Sequence, residues 1–441
     1  MTDATQADPN PWPTGLRFGA TSKRKTMVRD GAVEVWTPHG VRGLEQLLLD
    51  ALPADRKGRW LVGLGGEPVV AAVLRRTDPQ AEVVEFQLDR FVARRCEEAL
   101  RDNGVEGVTV RTISDLTDLD GPFDGIALPI AASFERQLAR SLIEQARRIL
   151  RKKGELYVAA DGPGVDVFLR KVLKKAFGVQ GTKLFERRRK GCVWKVINRK
   201  PTDTPARDHR RLTELECHGA RLSFQTRPGV FGYGRVDRGT LALLECARFR
   251  EDDRTVDLGC GAGVLGLFAA KLAPKGSALL VDSSARAARL SAENQALNGL
   301  TNVTVLEPRA DLEDLPEPEG GFTLALANPP YFSNMRIATS FVSRAAELLG
   351  ADGRLLLVAR NRERHEPILQ EHFPRVACVE RRGYAVFLAS RRTDLPEFED
   401  FGHETTGKDR DPSDDPSDDG SQTGSPESRP EPGREDDSAN G

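Results

Sequence analysis

The stretch "ALANPPYF" ends a run of small apolar residues with an amide, two prolines and an aromatic side chain. The side-chain oxygen of Asn328 and the backbone carbonyl of Pro329 are hydrogen-bond acceptors, and prolines hold such acceptors rigidly because they fix φ and lack an N–H. Beside Pro330, Tyr331 offers a face on which a planar base stacks. Two acceptors on the hydrogens of a planar amine would draw its delocalised lone pair toward tetrahedral geometry. The segment therefore predicts alkylation of such an amine, driven mainly by alignment of the reactants and without a metal or covalent intermediate.

A second motif, "DLGCGAG", follows a predicted strand and opens a predicted helix, where open α/β sheets bind ligands. Gly259, Gly261 and Gly263 let the backbone turn tightly and approach a ligand. Asp282 ends the next predicted strand, 25 residues after Asp257, and is placed to accept hydrogen bonds from a ribose diol. Nicotinamide and flavin sites share this geometry. The acid at the strand tip, in place of the first glycine of a dinucleotide motif, favours a ligand with an ammonium group and no pyrophosphate, such as S-adenosylmethionine.

The elements that must position these residues occur twice. From about Arg59, and again from about Asp253, strand-like and helix-like stretches alternate in the same order, which is typical of βαβ units around a parallel sheet. The stretches "NGVEGVTV" and "NGLTNVTV" match between the halves, as do "LRKKGELYVAA" and "LGADGRLLLVA". The fold class predicted is α/β, with two tandem Rossmann-like, doubly wound domains that arose by duplication.

The first copy is predicted to be degenerate. Matching the glycines and prolines of the motifs sets Leu61 against Asp257 and Leu128 against Asn328, so the first copy keeps glycines but lacks the leading acid and the amide. Loss of catalysis there is expected. Its basic clusters, "ARRILRKKG", "RKVLKKAFG" and "ERRRKG", form either a surface for phosphates or the solvated faces of amphipathic helices.

Composition separates a basic body from an acidic tail. Residues 393–441 hold 16 acidic and 4 basic residues, against 50 acidic and 61 basic residues in 1–392. The body suits a polyanionic partner, whereas the tail has too few apolar residues to fold and is predicted to be disordered. The six cysteines form no C-x-x-C pair, no signal peptide is evident and no run of eighteen apolar residues occurs, so a cytoplasmic protein without a metal site or a membrane span is expected.

At these motifs the sequence resembles class I S-adenosylmethionine-dependent methyltransferases. More narrowly, it resembles the ribosomal RNA guanine-N2 methyltransferases that carry two tandem methyltransferase-like domains, the first degenerate. The resemblance covers roughly residues 15–392 and includes "PGVFGYGR" at 228–235, followed by Asp237, Gly239 and Thr240. The family has a similar element that lies over the cofactor and substrate site.

The resemblance implies transfer of a methyl group from S-adenosyl-L-methionine to the N2 amine of a guanine in ribosomal RNA, with the first copy aiding RNA binding and folding. It also implies residue roles: Asp257, Gly259 and Gly261 contact the methionine part of the cofactor, Asp282 the ribose, Asn328 and Pro329 the target amine, and Phe231 and Arg235 shape the entrance. Asp311 is either a contact of the cofactor adenine or a solvated loop carboxylate.

Tyr331 departs from the phenylalanine typical of that family and is frequent in adenine-N6 and glutamine methyltransferases. Methylation of adenine N6 or of a protein glutamine amide therefore stays open, as does a non-catalytic RNA-binding or assembly factor. The expected partner is ribosomal RNA or a ribosomal subunit, and the expected state is a monomer. The predicted domains are a flexible N-terminus at 1–14, a degenerate domain at 15–197, a linker at 198–215, a catalytic domain at 216–392 and an acidic tail at 393–441.

Overall fold

The structure is a computed structural model of the chain. It describes residues 22–28, 31–37, 43–53, 57–188, 191–307, 312, 315–330 and 335–401. In this part of the chain, no helix is long and apolar enough to cross a membrane.

The first half contains a hairpin and a seven-stranded sheet with helices. The hairpin pairs two antiparallel strands, and the sheet runs in the order β5-β4-β3-β6-β7-β9-β8. Its elements are β1 (Ser22–Val28), β2 (Gly31–Thr37), α1 (Gly43–Ala51), β3 (Arg59–Gly63), α2 (Val69–Thr77), β4 (Glu82–Gln87), α3 (Arg90–Asp102), β5 (Val108–Thr112), β6 (Phe123–Ile130), α4 (Arg136–Ile149), β7 (Leu150–Ala160), α5 (Pro163–Phe177), β8 (Thr182–Arg188) and β9 (Gly191–Ile197).

The second half repeats this arrangement. A hairpin again precedes a seven-stranded sheet, here in the order β14-β13-β12-β15-β16-β18-β17. Its elements are β10 (Arg211–Cys217), β11 (Ala220–Thr226), α6 (Arg238–Cys246), β12 (Arg254–Leu258), α7 (Val264–Leu272), β13 (Ser277–Val281), α8 (Ala285–Leu297), β14 (Val303–Val305), β15 (Phe322–Ala327), α9 (Arg336–Leu348), β16 (Leu349–Ala359), α10 (Arg362–His372), β17 (Arg375–Arg381), β18 (Tyr384–Ser390) and α11 (Glu397–Asp400).

The prediction of two doubly wound α/β domains is confirmed. In each sheet the first five strands are parallel and the last two form an antiparallel hairpin at one edge. Helices cover both faces, so alternate strand residues belong to different cores: Leu324 and Leu326 pack on one side of β15, Ala325 and Ala327 on the other. The hairpin and first helix of each half extend the duplication beyond the elements that the sequence pattern predicts.

Superposing the two element orders corrects the alignment of the motifs. The strands β3 and β12 begin at Arg59 and Arg254, and the helices after them begin at Val69 and Val264, so equivalent positions here lie 195 residues apart. The counterpart of Asp257 is therefore Val62, not Leu61. By the same offset Gly259 corresponds to Leu64, which has a φ of 68°, a conformation that costs a non-glycine residue energy.

The "NPPY" comparison also shifts by one residue. Strand pairing matches Leu326 with Leu356 in the second sheet and Ala127 with Tyr157 in the first. The strands β7 and β16 begin 199 residues apart, at Leu150 and Leu349, and the paired residues differ by the same 199. The counterpart of Asn328 is therefore Pro129, not Leu128. A proline side chain has no hydrogen-bond acceptor. The first copy therefore lacks the amide, as predicted, but the residue in its place is Pro129.

Regular structure extends into two segments that are predicted to be linker or tail. The linker predicted at 198–215 ends earlier, because β10 begins at Arg211 and pairs along its length with β11. The tail predicted from 393 includes the helix α11 and two residues, Leu395 and Phe398, that are buried in the second core. Two apolar side chains thus retain this segment in the fold. Residues 1–21 and 402–441 lie outside the described part of the chain, as do the N-terminus at 1–14 and most of the predicted tail.

Candidate active site

Three of the predicted site residues meet at the carboxyl edge of the second sheet. Asp257 lies near the end of β12, Asp282 directly follows β13, and Asn328 directly follows β15. The strand β12 lies between the other two, and all three run parallel. The carboxyl ends of neighbouring parallel strands lie side by side, which is where open α/β sheets bind ligands.

The glycine loop wraps over the end of β12. Gly259, Gly261 and Gly263 have φ angles of 74°, 57° and 84°, which strongly favour glycine. The Gly261 amide donates to Asp282 Oδ2 at 2.9 Å, so the loop and the acid hold each other in place. A Cβ at Gly261 would meet no atom within 4 Å, whereas one at Gly259 would come within 2.9 Å of the Phe341 ring. The loop therefore faces open space at Gly261.

Both acids are held in a low-dielectric environment. Asp257 is 1% exposed, and its Oδ2 accepts from the Gly266 amide at 2.8 Å. Burial, with a smaller contribution from the charge of Asp282, raises the pKa of Asp257 to about 7. Burial also raises the pKa of Asp282 to about 6, although the backbone amides of Ser284 and Gly261 stabilise its ionised form. A cationic or hydroxyl-bearing ligand would favour the ionised form of both.

The Asn328 amide has a defined orientation. Its Nδ2 donates to Asp237 Oδ2 at 3.2 Å and to Thr240 Oγ1 at 3.0 Å. A carboxylate only accepts hydrogen bonds, so the nitrogen must face Asp237. The carbonyl oxygen Oδ1 consequently points away from Asp237, leaving the amide acceptor on the side opposite helix α6.

Asp237 and Thr240 belong to the element that begins at Pro228. The sequence pattern of this element assigns no role to either residue. Asp237 is the N-cap of α6, where its side chain accepts from the Thr240 amide at 3.1 Å. The D-x-x-T pattern signals a helix start. It carries no signal for the contact with Asn328, which lies 91 residues away in the chain.

The element at 228–235 lies between this cap and the first domain. Phe231 is 57% exposed and Arg235 is exposed, positions compatible with the entrance role predicted for them. The Tyr233 hydroxyl donates to the carbonyl of His209 at 2.8 Å, which ties the element to the connection between the domains.

The first domain contacts the turn that carries Asp282. The amide of Arg90 donates to the Ser283 carbonyl at 2.8 Å, and the Ser283 hydroxyl donates to Asp89 Oδ2 at 2.6 Å. An isolated antiparallel bridge pairs Asp89 with Ser284, two positions that are themselves 195 residues apart. The two copies therefore meet at equivalent turns.

The remaining predicted residues divide into two groups. Pro329 and Pro330 follow Asn328 at the strand end, as the sequence requires. Tyr331 and Asp311 lie outside the described residues. Over the ranges that the structure describes, no group of three or more His, Cys, Asp or Glu side chains could hold a metal ion.

Comparison with known proteins places both halves in one family. The sequence profile of the methyltransferase small domain matches residues 35–186 and 221–388. Ribosomal RNA small subunit methyltransferase C of Vibrio vulnificus is 29% identical over 229 residues, which are 50% of this chain and 65% of that protein. The Pseudomonas putida (strain GB-1) protein of the same name is 30% identical over 256 residues, 57% of this chain and 74% of its own length.

The similarity to a solved structure extends over both domains. A T. thermophilus 16S rRNA N2 methyltransferase, determined in complex with AdoMet and guanosine, superposes with a TM-score of 0.66 at 23% identity and covers 84% of this chain and 98% of its own. This likeness establishes a shared two-domain fold. The chain spans 65% of the Vibrio vulnificus relative and 54% of one from Pseudomonas syringae pv. tomato.

Proposed function

The chain belongs to the methyltransferase small domain family, and on this basis we propose that it transfers a methyl group from S-adenosyl-L-methionine to the exocyclic N2 amine of a guanine in ribosomal RNA. The observation that carries the proposal is the orientation of Asn328. Asp237 and Thr240 hold its amide nitrogen and so fix the orientation of its carbonyl oxygen, at the same edge of the sheet as Asp257 and Asp282.

The residues at the sheet edge fit the proposed cofactor. Gly261 leaves space next to Asp282, and a carboxylate in that position accepts hydrogen bonds from the two hydroxyls of a ribose. Asp257 is a buried carboxyl whose ionised form an ammonium group would stabilise. When bound, S-adenosylmethionine supplies a methyl group on a positively charged sulfur.

Asn328 and Pro329 would act on the target amine. The Asn328 Oδ1 and the Pro329 carbonyl each accept one amine hydrogen, which directs the nitrogen lone pair toward the methyl carbon. The bound cofactor would supply the methyl group and would leave as S-adenosylhomocysteine, and the proton lost by the amine would pass to solvent because neither amide oxygen is a base. The barrier falls mainly because amine and methyl carbon are held in line. Tyr331 is proposed to stack on the extruded base.

The names of the relatives support the proposed substrate. Those named above are ribosomal RNA small subunit methyltransferases, and the T. thermophilus protein was determined with guanosine. We therefore propose small-subunit ribosomal RNA as the partner, with the protein acting in the cytoplasm as a monomer.

The direct test is to identify the product. We expect purified protein and methyl-labelled S-adenosylmethionine to give labelled N2-methylguanosine when unmodified small-subunit RNA or subunits are digested to nucleosides. Label in N6-methyladenosine would retain the mechanism and refute the target. Label in a protein glutamine, or no label despite cofactor binding, would refute the RNA assignment.

Cofactor affinity is expected to rise with pH between about 5 and 7. The carboxyls of Asp257 and Asp282, whose pKa values are raised to about 7 and about 6, hold protons at the lower pH and must release them to accept an ammonium and a ribose diol. Each required release strengthens binding by up to about tenfold per pH unit below the pKa. Titration calorimetry with S-adenosylhomocysteine from pH 5 to 8.5, in two buffers of different ionisation enthalpy, measures the affinity and the protons released.

The variant Asp282→Asn provides the control for this titration. It should bind more weakly throughout and lose the part of the pH dependence centred near 6. A wild-type affinity that stays constant from pH 5 to 8 would contradict the proposed roles of both acids.

Asp237 is predicted to position Asn328 in addition to capping α6. Serine caps a helix as well as aspartate does, but it is too short to reach the Asn328 amide. We expect Asp237→Ser to keep the thermal stability and lower kcat roughly tenfold, the effect of one lost hydrogen bond. Asp237→Asn retains an acceptor of the right length and should stay near wild type.

The readout that separates positioning from folding is the comparison of these two variants. Both keep a cap, so equal melting temperatures with unequal kcat values support positioning. Equal kcat values for the serine and asparagine variants would show that Asp237 serves the helix alone.

A further inference from the structure

A polar cavity of about 290 Å³ lies between the two domains. Its walls come from α4 and the turn after β5 in the first domain, from the connection between the domains, and from the start of the 228–235 element and α8 in the second. The charged residues lining it are mainly arginines: Arg148, Arg207, Arg210, Arg227 and Arg286, with His209 and two acids, Asp115 and Asp208.

One of the two acids is shared among several arginines. Asp115 accepts from Arg227 Nη2 at 2.7 Å and from Arg286 Nη1 at 3.2 Å, and Arg289 approaches its other oxygen at 3.3 Å. The side chains of Arg227 and Arg286 are 7% and 1% exposed. Burial, and to a smaller extent the nearby Arg227 charge, lower the pKa of Arg286 to about 10, although Asp115, Glu135 and Asp118 stabilise its charged form.

Two other arginines on the lining carry charge that no acid balances in the described chain. Arg148, in the last turn of α4, has no ion pair there, and its Nε is buried without a hydrogen-bond acceptor. Arg207 is exposed and also has no ion pair among the residues that the structure describes. Arg210 differs, because its Nη2 donates to Glu293 at 2.8 Å. The cavity therefore holds guanidinium groups that would bind an anion.

One chain segment links the lining of the cavity to the candidate active site. Arg227 and Pro228 line the cavity, and the same chain continues past the exposed Phe231 to Asp237, which contacts Asn328. The first domain fixes the beginning of this segment, since the Gly229 amide donates to Glu135 Oε2 at 2.7 Å. Arg227, on the cavity wall, and Asp237, beside Asn328, are therefore only ten residues apart in the chain.

We propose that the inter-domain cavity lined by Arg148 and Arg207 binds a backbone phosphate of the RNA strand whose base enters the active site. Planar guanidinium groups bind phosphate oxygens in pairs, and such contacts fix the register of a strand without reading its sequence. The degenerate first domain would thus supply part of the substrate site through α4. This inference rests on the proposed RNA substrate.

The test measures RNA binding against salt. Arg148→Gln removes the charge but keeps a long polar side chain, and Arg148→Lys restores a point charge. The matched control is Arg101→Ala, an exposed arginine in the last turn of α3. Affinities for unmodified small-subunit RNA, free and in subunits, are measured over a series of KCl concentrations, with S-adenosylhomocysteine affinity and thermal unfolding as checks on the fold.

We expect Arg148→Gln to weaken RNA binding roughly tenfold at low salt and to reduce the slope of log affinity against log salt by about 0.7 to 1, the effect of one lost phosphate contact. Arg148→Lys should recover most of the slope, and Arg101→Ala should match wild type. Cofactor affinity and melting temperature should be equal in all four proteins.

Two outcomes would overturn the proposal. Equal slopes for wild type and Arg148→Gln would show that no strand phosphate is bound there. If inorganic phosphate raises the melting temperature of wild type but not of Arg148→Gln, while the RNA slopes are equal, the cavity binds free phosphate and not RNA. Failure of the proposed function would give another result. The wild-type protein itself would then bind RNA no better than it binds other polyanions, and it would transfer no labelled methyl group to RNA.

Discussion

Replacing Asn328 with alanine is expected to lower methyl transfer at least about 100-fold while leaving cofactor affinity within twofold of wild type. The proposed contacts of its Oδ1 are to the target amine alone, and removal of one preorganised hydrogen-bonding group at a reacting centre typically costs a factor of about 100 to 1,000 in kcat. Single-turnover rates with saturating RNA measure the chemical step, and calorimetry with S-adenosylhomocysteine measures the cofactor site.

The control for this variant is Asp282→Ala, which should show the opposite pattern. Its acid contacts the glycine loop at 2.9 Å and not Asn328, so the cofactor affinity should fall and the rate at saturating cofactor should recover in part. Full activity in Asn328→Ala would refute the mechanism. Equal loss of cofactor affinity in both variants would show that Asn328 supports the loop and not the amine.

Replacing Arg354 with methionine is expected to destabilise the second domain by about 3 to 5 kcal/mol, the usual result of removing one partner of a buried ion pair. Arg354 and Asp253 are fully buried and joined by two hydrogen bonds of 3.0 and 2.8 Å. Arg354 also donates to the carbonyl of Arg248 at 2.6 Å. Its loss leaves the carboxylate of Asp253 without its counter-charge in the core.

The four tryptophans allow the two domains to be followed separately, because all of them lie in the first half, at 12, 36, 60 and 194. Urea unfolding detected by cofactor binding and by circular dichroism should shift to lower urea in Arg354→Met, whereas the tryptophan transition should shift less. Lys275→Met, which removes one partner of an exposed pair with Glu251, is the control and should unfold at the wild-type midpoint. An unchanged cofactor-detected midpoint in Arg354→Met would contradict the prediction.

The first domain has other residue types at the positions equivalent to the candidate site. Val62 and Pro129 stand where the second domain has Asp257 and Asn328, and Gln87 stands where it has Asp282. The Gln87 side chain is buried and donates to the buried Glu85 at 2.7 Å. What this domain offers the site is the bridge to the Asp282 turn and the Asp115 arginine cluster.

The sequence by itself determined the parts of the site that depend on consecutive residues. Glycines at fixed spacing after a strand, an acid at the end of the next strand and an amide followed by two prolines specify local backbone geometry, and parallel strands bring their carboxyl ends together. The spacing of Asp257, Asp282 and Asn328 therefore suffices to place all three at one edge of a sheet, and the repeated order of elements predicts both domains.

Only the tertiary structure decided how distant segments meet. The pair of Asn328 and Asp237 spans 91 residues, and that of Arg227 and Asp115 spans 112. No local pattern encodes these contacts, because they depend on how α6 packs on β16 and β18 and how the two copies dock. The one-residue error in the motif alignment has a related origin. Matching the glycines sets Gly63 and Gly65 against Gly259 and Gly261, whereas the bounds of the strands and helices set Leu64 and Gly66 there. A shift by a single residue turns every side chain of a strand to the opposite face of the sheet, so the folded structure allows one register only.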